Sequence, residues 1–251
     1  MDLIGKIKKK VVEILTSRPV FQCIRLFNGK KVRSYGSLID TSDENITEAI
    51  AANIFWNIYE KAELRSVHKY LKPGLPIIEI GSSLGVVSAL IGKIKAHEDK
   101  LICFEANPSL IPTIKKNLEL NKIQNFKIFN KAIGPANVHA VYFSKAISSL
   151  NGKISLEVSG EKVEVTTLRQ VLEQENIHDF SLIADIEGAE VYLIFEQIEI
   201  FKNCRLTILE LHNTRYQDKY YAREDLDEIF RTKSGMKLTS RFRHVFVYER
   251  H

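Results

Sequence analysis

Pro76-Ile-Ile-Glu-Ile-Gly-Ser-Ser-Leu-Gly-Val-Val-Ser-Ala-Leu90, followed by Leu101-Ile-Cys-Phe-Glu-Ala-Asn-Pro108, decides how this chain folds. The apolar run Ile77, Ile78, Ile80 reads as a buried strand and stops at a glycine turn, Gly81 to Gly85. Apolar residues then recur at helical spacing (Val86, Val87, Leu90, Ile91, Ile94), and a second apolar run ends in the acid Glu105. Strand, helix and strand in that order predict a parallel βαβ unit. In open α/β sheets ligands bind beyond the carboxyl ends of the strands. There a glycine lets the backbone approach, and an acid about 20 residues further on takes a ribose diol. Gly81 and Glu105 occupy those two positions.

The turn itself separates two kinds of ligand. A dinucleotide fingerprint, G-x-G-x-x-G, sets a pyrophosphate on a helix N-terminus. This chain instead has G-x-x-x-G, with Ser82 and Ser83 inside it and Glu79 two residues before Gly81. A carboxylate at that place repels pyrophosphate and attracts the ammonium and sulfonium charges of S-adenosylmethionine. A methyl donor is expected rather than NAD, the plain alternative being a βαβ turn without a ligand.

The rest of the chain bounds this reading. With 251 residues, 45% of them apolar, and no long Gly/Ser or Pro-rich linker, one main domain with a modest extension is expected. We place the extension at 1–70 and the domain at 71–251. A formal charge of +5 permits an anionic substrate without selecting one. Cys23, Cys103 and Cys204 are widely spaced and suit reduced thiols, hence a cytoplasmic setting. No run reaches the roughly 18 apolar residues of a membrane span, and no signal peptide is expected. Residues 1–18 form a basic amphipathic pattern, expected to dock on the domain with its lysines in water; the alternative is contact with an anionic membrane surface.

Residues 20–40 read as short strands with a turn at Asn28-Gly29, and Ile46 to Leu71 as one helical region opened by Thr41-Ser-Asp-Glu44. Trp56 and Tyr59 within it are expected in the core or at the mouth of the site. Further strands are expected at Phe126 to Asn130, Phe180 to Asp185 and Arg205 to Leu211, helices at Leu168 to Gln174 and Ala189 to Glu199, and a closing pair at Met236 to Thr239 and His244 to Tyr248. Between them, Val138 to Phe143, Gly152 to Val158 and Val163 to Val165 alternate as an antiparallel insertion.

Several blocks in this order resemble the FkbM family of S-adenosylmethionine-dependent methyltransferases over roughly residues 70 to 215. They are Ile78-Glu-Ile-Gly-Ser-Ser-Leu-Gly85, Phe104-Glu-Ala-Asn-Pro-Ser-Leu110, Val165-Thr-Thr-Leu168, Leu182-Ile-Ala-Asp-Ile-Glu-Gly-Ala-Glu190 and Ile208-Leu-Glu-Leu-His212. Gly81-Ser82-Ser83 stands where the family usually has Gly-Ala-Asn. The resemblance implies a Rossmann-like, doubly wound, seven-stranded class I methyltransferase sheet. It implies a cofactor site formed by Glu79, Gly81, Ser82, Ser83, Gly85, Glu105, Ala106, Asn107, Lys131, Ala132 and Asp185, with Lys131 to Pro135 framing the adenine. The implied acceptor is a hydroxyl of a sugar, glycolipid or related natural product.

In such a fold the strand ending at Asp185 lies beside the one ending at Ile80, and the strand carrying Glu210 lies next to that. Asp185, Glu210 and His212 are therefore the expected catalytic residues, with His212 the first choice of base because its unperturbed pKa of about 6.5 suits proton removal at neutral pH, Asp185 the rival, and substrate binding alone the alternative for either. Glu210 and His212, two apart on a strand, would face one side and form a pair. No metal is expected, since Glu190 can stabilise a helix start and Glu187 cap its turn. Base methylation on RNA is the rival reading. Enzymes of that kind usually carry Asn/Asp-Pro-Pro-Tyr/Phe where this chain reads Asp185-Ile-Glu-Gly188, so no nucleic-acid partner is expected. A non-catalytic nucleotide-binding module is a third.

Overall fold

The computed structural model describes residues 10–144, 153–155 and 161–250. Residues 10–15 are helical, and the rest of the expected basic segment, 1–9, lies outside the described residues. A helix spans Arg18–Asn28 where short strands were expected. Pro19 sits in its first turn, where its fixed φ and missing N–H cost nothing. Phe21 and Ile24 anchor it in the core, and Gly29 at φ 62 ends it. Two short strands then form a hairpin, β1 (Lys31–Ser34) and β2 (Ser37–Asp40). The single helix expected over Ile46 to Leu71 is two, Glu48–Phe55 and Lys61–Tyr70. Thr47, not Thr41, caps the first by accepting from the Ile50 amide. The break falls where Asn57 and Glu60 take left-handed backbone, φ 53 and 45.

The βαβ unit forms as read: β3 (Ile77–Ile80), a helix at Val86–Ile94, and β4 (Leu101–Phe104). The helix Ile111–Leu120 leads to β5 (Phe126–Phe129). β6 (Lys131–Ile133), β7 (Ala140–Ser144), β8 (Lys153–Ser155) and β9 (Glu161–Thr166) make a separate four-stranded sheet, the expected insertion; the remainder of the Gly152 to Val158 run lies outside the described residues. The helix Leu168–Gln174 starts on a capping box between Thr167 and Gln170. β10 (Phe180–Ala184), the helix Glu190–Glu196 and β11 (Cys204–Glu210) follow. A hairpin, β12 (Thr214–Tyr216) with β13 (Lys219–Tyr221), and a helix Arg223–Ser234 precede β14 (Lys237–Phe242) and β15 (Val245–Glu249).

The central sheet has seven strands in the order β14-β15-β11-β10-β3-β4-β5, parallel except that β15 runs antiparallel to both its neighbours. Alternation divides its side chains between two faces. Ile77, Leu101, Ile183 and Ile208 pack under the helices Lys61–Tyr70, Val86–Ile94 and Ile111–Leu120, where the N-terminal residues Phe21, Ile39 and Ile54 also lie. Ile78, Ile80, Ile102, Phe104, Leu182 and Leu209 pack under Leu168–Gln174, Glu190–Glu196 and Arg223–Ser234. Each side chain so enclosed stabilises the fold by roughly 1.5–3 kcal/mol. Apolar strands follow from burial on both faces.

The connections reverse direction between β3 and β10, and the loops after these strands touch. A Cβ on Gly81, at φ +88, would stand 1.9 Å from the Asp185 carbonyl oxygen. Gly81→Ala is therefore expected to strain the turn and the facing backbone together, costing about 2 kcal/mol or more. Thermal melting by circular dichroism should show a fall of roughly 4–8 °C; an unchanged midpoint would contradict this packing.

Candidate active site

Ile80, Phe104, Phe129, Ala184 and Leu209 lie in register across the sheet, so the next residues of β3, β4, β10 and β11 line one carboxyl edge. These include Gly81, Glu105, Asp185 and Glu210. The Gly81 and Ser82 amides both donate to the Phe104 carbonyl, which folds the glycine turn back on β4. Ser83 holds left-handed backbone at φ 48, and Gly85 at φ 74 opens the helix Val86–Ile94. Glu105 is buried and accepts from the Ser83 and Asn107 amides, each at 2.7 Å. Its carboxylate thereby ties the two turns together. Burial pushes its pKa up, against those amides, which favour the charged form.

Glu79 lies deeper than expected, 1% exposed. Its Oε2 accepts from Ser82 Oγ (2.9 Å), Ser88 Oγ (2.5 Å) and Cys103 Sγ (3.3 Å), while Oε1 has no hydrogen-bond partner among the described residues. The strand period explains its place: Glu79 and Glu210 share parity with Ile77 and Ile208 and face the side of the sheet that carries the helix Lys61–Tyr70, and Asp185 follows one residue after the end of β10. That helix brings Glu60 and Glu63 toward them. Burial raises the pKa of both well above the usual carboxylate range, and the charges of Asp185, Glu79 and Glu210 add to it. Tyr59 reaches the turn directly, its hydroxyl sharing a hydrogen bond with Ser83 Oγ at 3.0 Å. Trp56 is instead partly exposed and donates to the Leu15 carbonyl.

His212 does not pair with Glu210 as expected. β11 ends at Glu210, so the two-residue alternation does not carry on to His212. Its Nδ1 lies 3.1 Å from Glu190 Oε1, and its Nε2 lies 3.5 Å from Glu187 Oε2 and 3.8 Å from Asp185 Oδ1. Glu190 is fully buried at the start of its helix and also accepts from the Ile186 and Gly188 amides. Burial opposes a charge on His212, but the hydrogen bond to Glu190 and the charges of Glu190, Asp185 and Glu187 outweigh it and bring its pKa to about 9. An imidazole in this setting holds its proton at neutral pH, unlike the free base the unperturbed value suggests. Burial and the Glu210 charge raise Asp185 to about 8. Burial also raises Glu210, with His212 opposing.

Other expected cofactor residues are placed differently from this cluster. Lys131 is ion-paired with Glu164 of β9 at 2.6 Å, and Ala132 sits in the small core of the insertion with Val141 and Val163. Asn107 is 1% exposed and caps the turn after β4 by accepting from the Ser109 amide. Ala106 packs against the insertion core. An open depression of about 350 Å³ lined by Lys131, His139, Glu164 and Gln170 lies on the insertion rather than at the carboxyl edge. Sequence reasoning missed Glu60, Glu63, Ser88 and Asn130, whose amide group donates to the Glu105 and Ala106 carbonyls. Ser88, a polar residue in the apolar first turns of the helix Val86–Ile94, is the signal in the sequence for this further partner of Glu79.

The sequence pattern described as the methyltransferase FkbM domain matches residues 79–240. A 61-residue stretch is 33% identical to the ribosomal protein L11 methyltransferase of Acetivibrio thermocellus, covering 24% of this chain and 19% of that protein. Among solved structures the chain is similar to a SAM-dependent methyltransferase from Aquifex aeolicus, with a TM-score of 0.41 and 9% identity over 76% of this chain and 90% of that one. It is also similar to precorrin-6y C5,15-methyltransferase from Geobacter metallireducens, with a TM-score of 0.43 and 12% identity over 84% and 95%.

S-adenosylmethionine fits the chemistry of this edge. Glu105 keeps lone pairs free beside its two amide contacts, the Gly81 to Ser83 backbone permits close approach, and the surrounding carboxylates favour a sulfonium. Glu105→Gln turns an acceptor facing two amides into an amide group and should weaken S-adenosylhomocysteine binding by about ten- to a hundredfold. Titration calorimetry checks it, and wild-type affinity would remove Glu105 from the site.

Proposed function

The chain belongs to the FkbM methyltransferase family, and from that premise we propose that it transfers the methyl group of S-adenosylmethionine to a hydroxyl of a sugar, glycolipid or related natural product. The observation that carries this reading is the gathering of Glu60, Glu63, Glu79, Asp185 and Glu210 on one face of the carboxyl edge. Carboxylates attract a sulfonium and can hold sugar hydroxyls, which donate to them. They repel the phosphates on which nucleic-acid binding depends, and this counts against an RNA acceptor. The reaction needs the acceptor oxygen in line with the methyl carbon, and one proton removed. In this reading the three groups surround the acceptor hydroxyl: a deprotonated carboxylate of Asp185 or Glu210 receives its proton, and the protonated His212 holds the oxygen.

The segment 1–70 and the insertion supply the acceptor's other contacts in this reading, since Tyr59, Glu60 and Glu63 come from the former. An acceptor on a membrane surface is supported by Leu26 and Phe27, 84% and 88% exposed beside Arg25. No described helix is long and apolar enough to cross a membrane. The fold alone does not choose the acceptor.

Incubation with a methyl-labelled donor and a panel of sugars, glycolipids and RNA tests the proposal. Label in an alkali-stable ether of a sugar or glycolipid is expected; label in RNA would contradict it. His212→Ala should lower turnover by roughly two powers of ten with S-adenosylhomocysteine affinity kept. Near-normal turnover would leave Asp185 and Glu210 to do the work.

A further inference from the structure

We propose that Asp185, Glu190 and His212 form a binding site for one divalent cation of the Mg²⁺ or Mn²⁺ class. Ligand atoms of the three side chains lie within 4.8 Å of one another. Oxygen and nitrogen ligands at about 2.1 Å from one octahedral ion stand roughly 3.0–4.2 Å apart. The 3.8 Å from His212 Nε2 to Asp185 Oδ1 and the 3.5 Å to Glu187 Oε2 fall in that interval and are long for hydrogen bonds. A ring nitrogen binds metal only after losing its proton, so the cation takes the place of the proton that His212 otherwise holds.

A second observation is independent of those distances. Asp185 Oδ1 and Glu190 Oε2 are buried oxygens without a hydrogen-bond partner among the described residues, and Glu190 is fully buried. An acceptor shut off from water and left unmet costs free energy unless something positive reaches it. Among the described residues no lysine or arginine forms an ion pair with Asp185, Glu187 or Glu190, and the charge of Arg223 is felt at Glu210 instead. A cation would meet both oxygens, and Glu187, exposed on the same turn, could join it. The helix-start and capping roles expected for Glu190 and Glu187 do not explain why Glu190 Oε2 lacks a partner. A cation here would help hold the acceptor hydroxyl, and that consequence rests on the methyltransferase reading; binding itself does not.

The test uses the full chain stripped with a chelator and titrated with Mn²⁺, following loss of the free-ion signal by electron paramagnetic resonance. One site per chain is expected, with His212→Ala and Asp185→Asn each weakening it at least tenfold. Circular dichroism verifies that the variants are folded, and Glu190→Gln, which keeps the hydrogen-bonding shape, serves as a third. No uptake up to millimolar Mn²⁺, or wild-type affinity in all three variants, overturns the proposal. S-adenosylhomocysteine binding measured on the same stripped protein separates the two readings. If it binds and Mn²⁺ does not, the cation site alone fails; if Mn²⁺ binds and it does not, the cation site stands and the donor site fails.

Discussion

Mutual repulsion among carboxylates buried at one edge of the sheet is the interaction on which the rest of the site depends. Strand parity puts Glu79 and Glu210 on the same face, Asp185 follows the end of β10 beside them, and the helix Lys61–Tyr70 adds Glu63 with Glu60 just before it. The structure offsets part of this charge locally. Two serines and a cysteine donate to Glu79, two backbone amides to Glu105, and two amides with His212 to Glu190. Among the described residues, Glu79 Oε1, Asp185 Oδ1 and Glu190 Oε2 are left without partners. A site with surplus negative charge favours positive ligands, and a sulfonium is the one this family supplies.

The same constraint accounts for the backbone around the mouth. Ser83, Glu60 and Glu187 hold left-handed conformations that non-glycine residues seldom adopt, and each lies on a turn that aims a polar group at the edge. Gly81 does the opposite job, since lacking a Cβ lets the β3 and β10 turns close on each other. Strain at such places persists only where the surroundings fix it. Here the buried sheet and the carboxylate bonds of Glu105 and Glu190 do so.

Much of this was legible in the sequence because it depends on local pattern. The apolar runs at Ile77 to Ile80 and Leu101 to Phe104, buried on both faces, give a parallel strand its signature, and Gly81 and Glu105 follow from where such strands end. The N-terminal third was less legible. Arg18–Asn28 has β-branched and aromatic residues that read as strand, yet Pro19 and the burial of Phe21 and Ile24 make it a helix. The Glu210 and His212 pairing failed because alternation holds only within a strand, and β11 stops at Glu210. Glu60 and Glu63 carry no motif at all. Their role arises from tertiary packing of one helix over the edge, which no local pattern encodes.

The most direct test of the account is titration calorimetry of the purified protein with S-adenosylhomocysteine, with NAD in a parallel cell. Saturable binding of the first and none of the second is the predicted result, since a carboxylate-rich turn without G-x-G-x-x-G has no place for a pyrophosphate. Binding of NAD, or of neither, would contradict it.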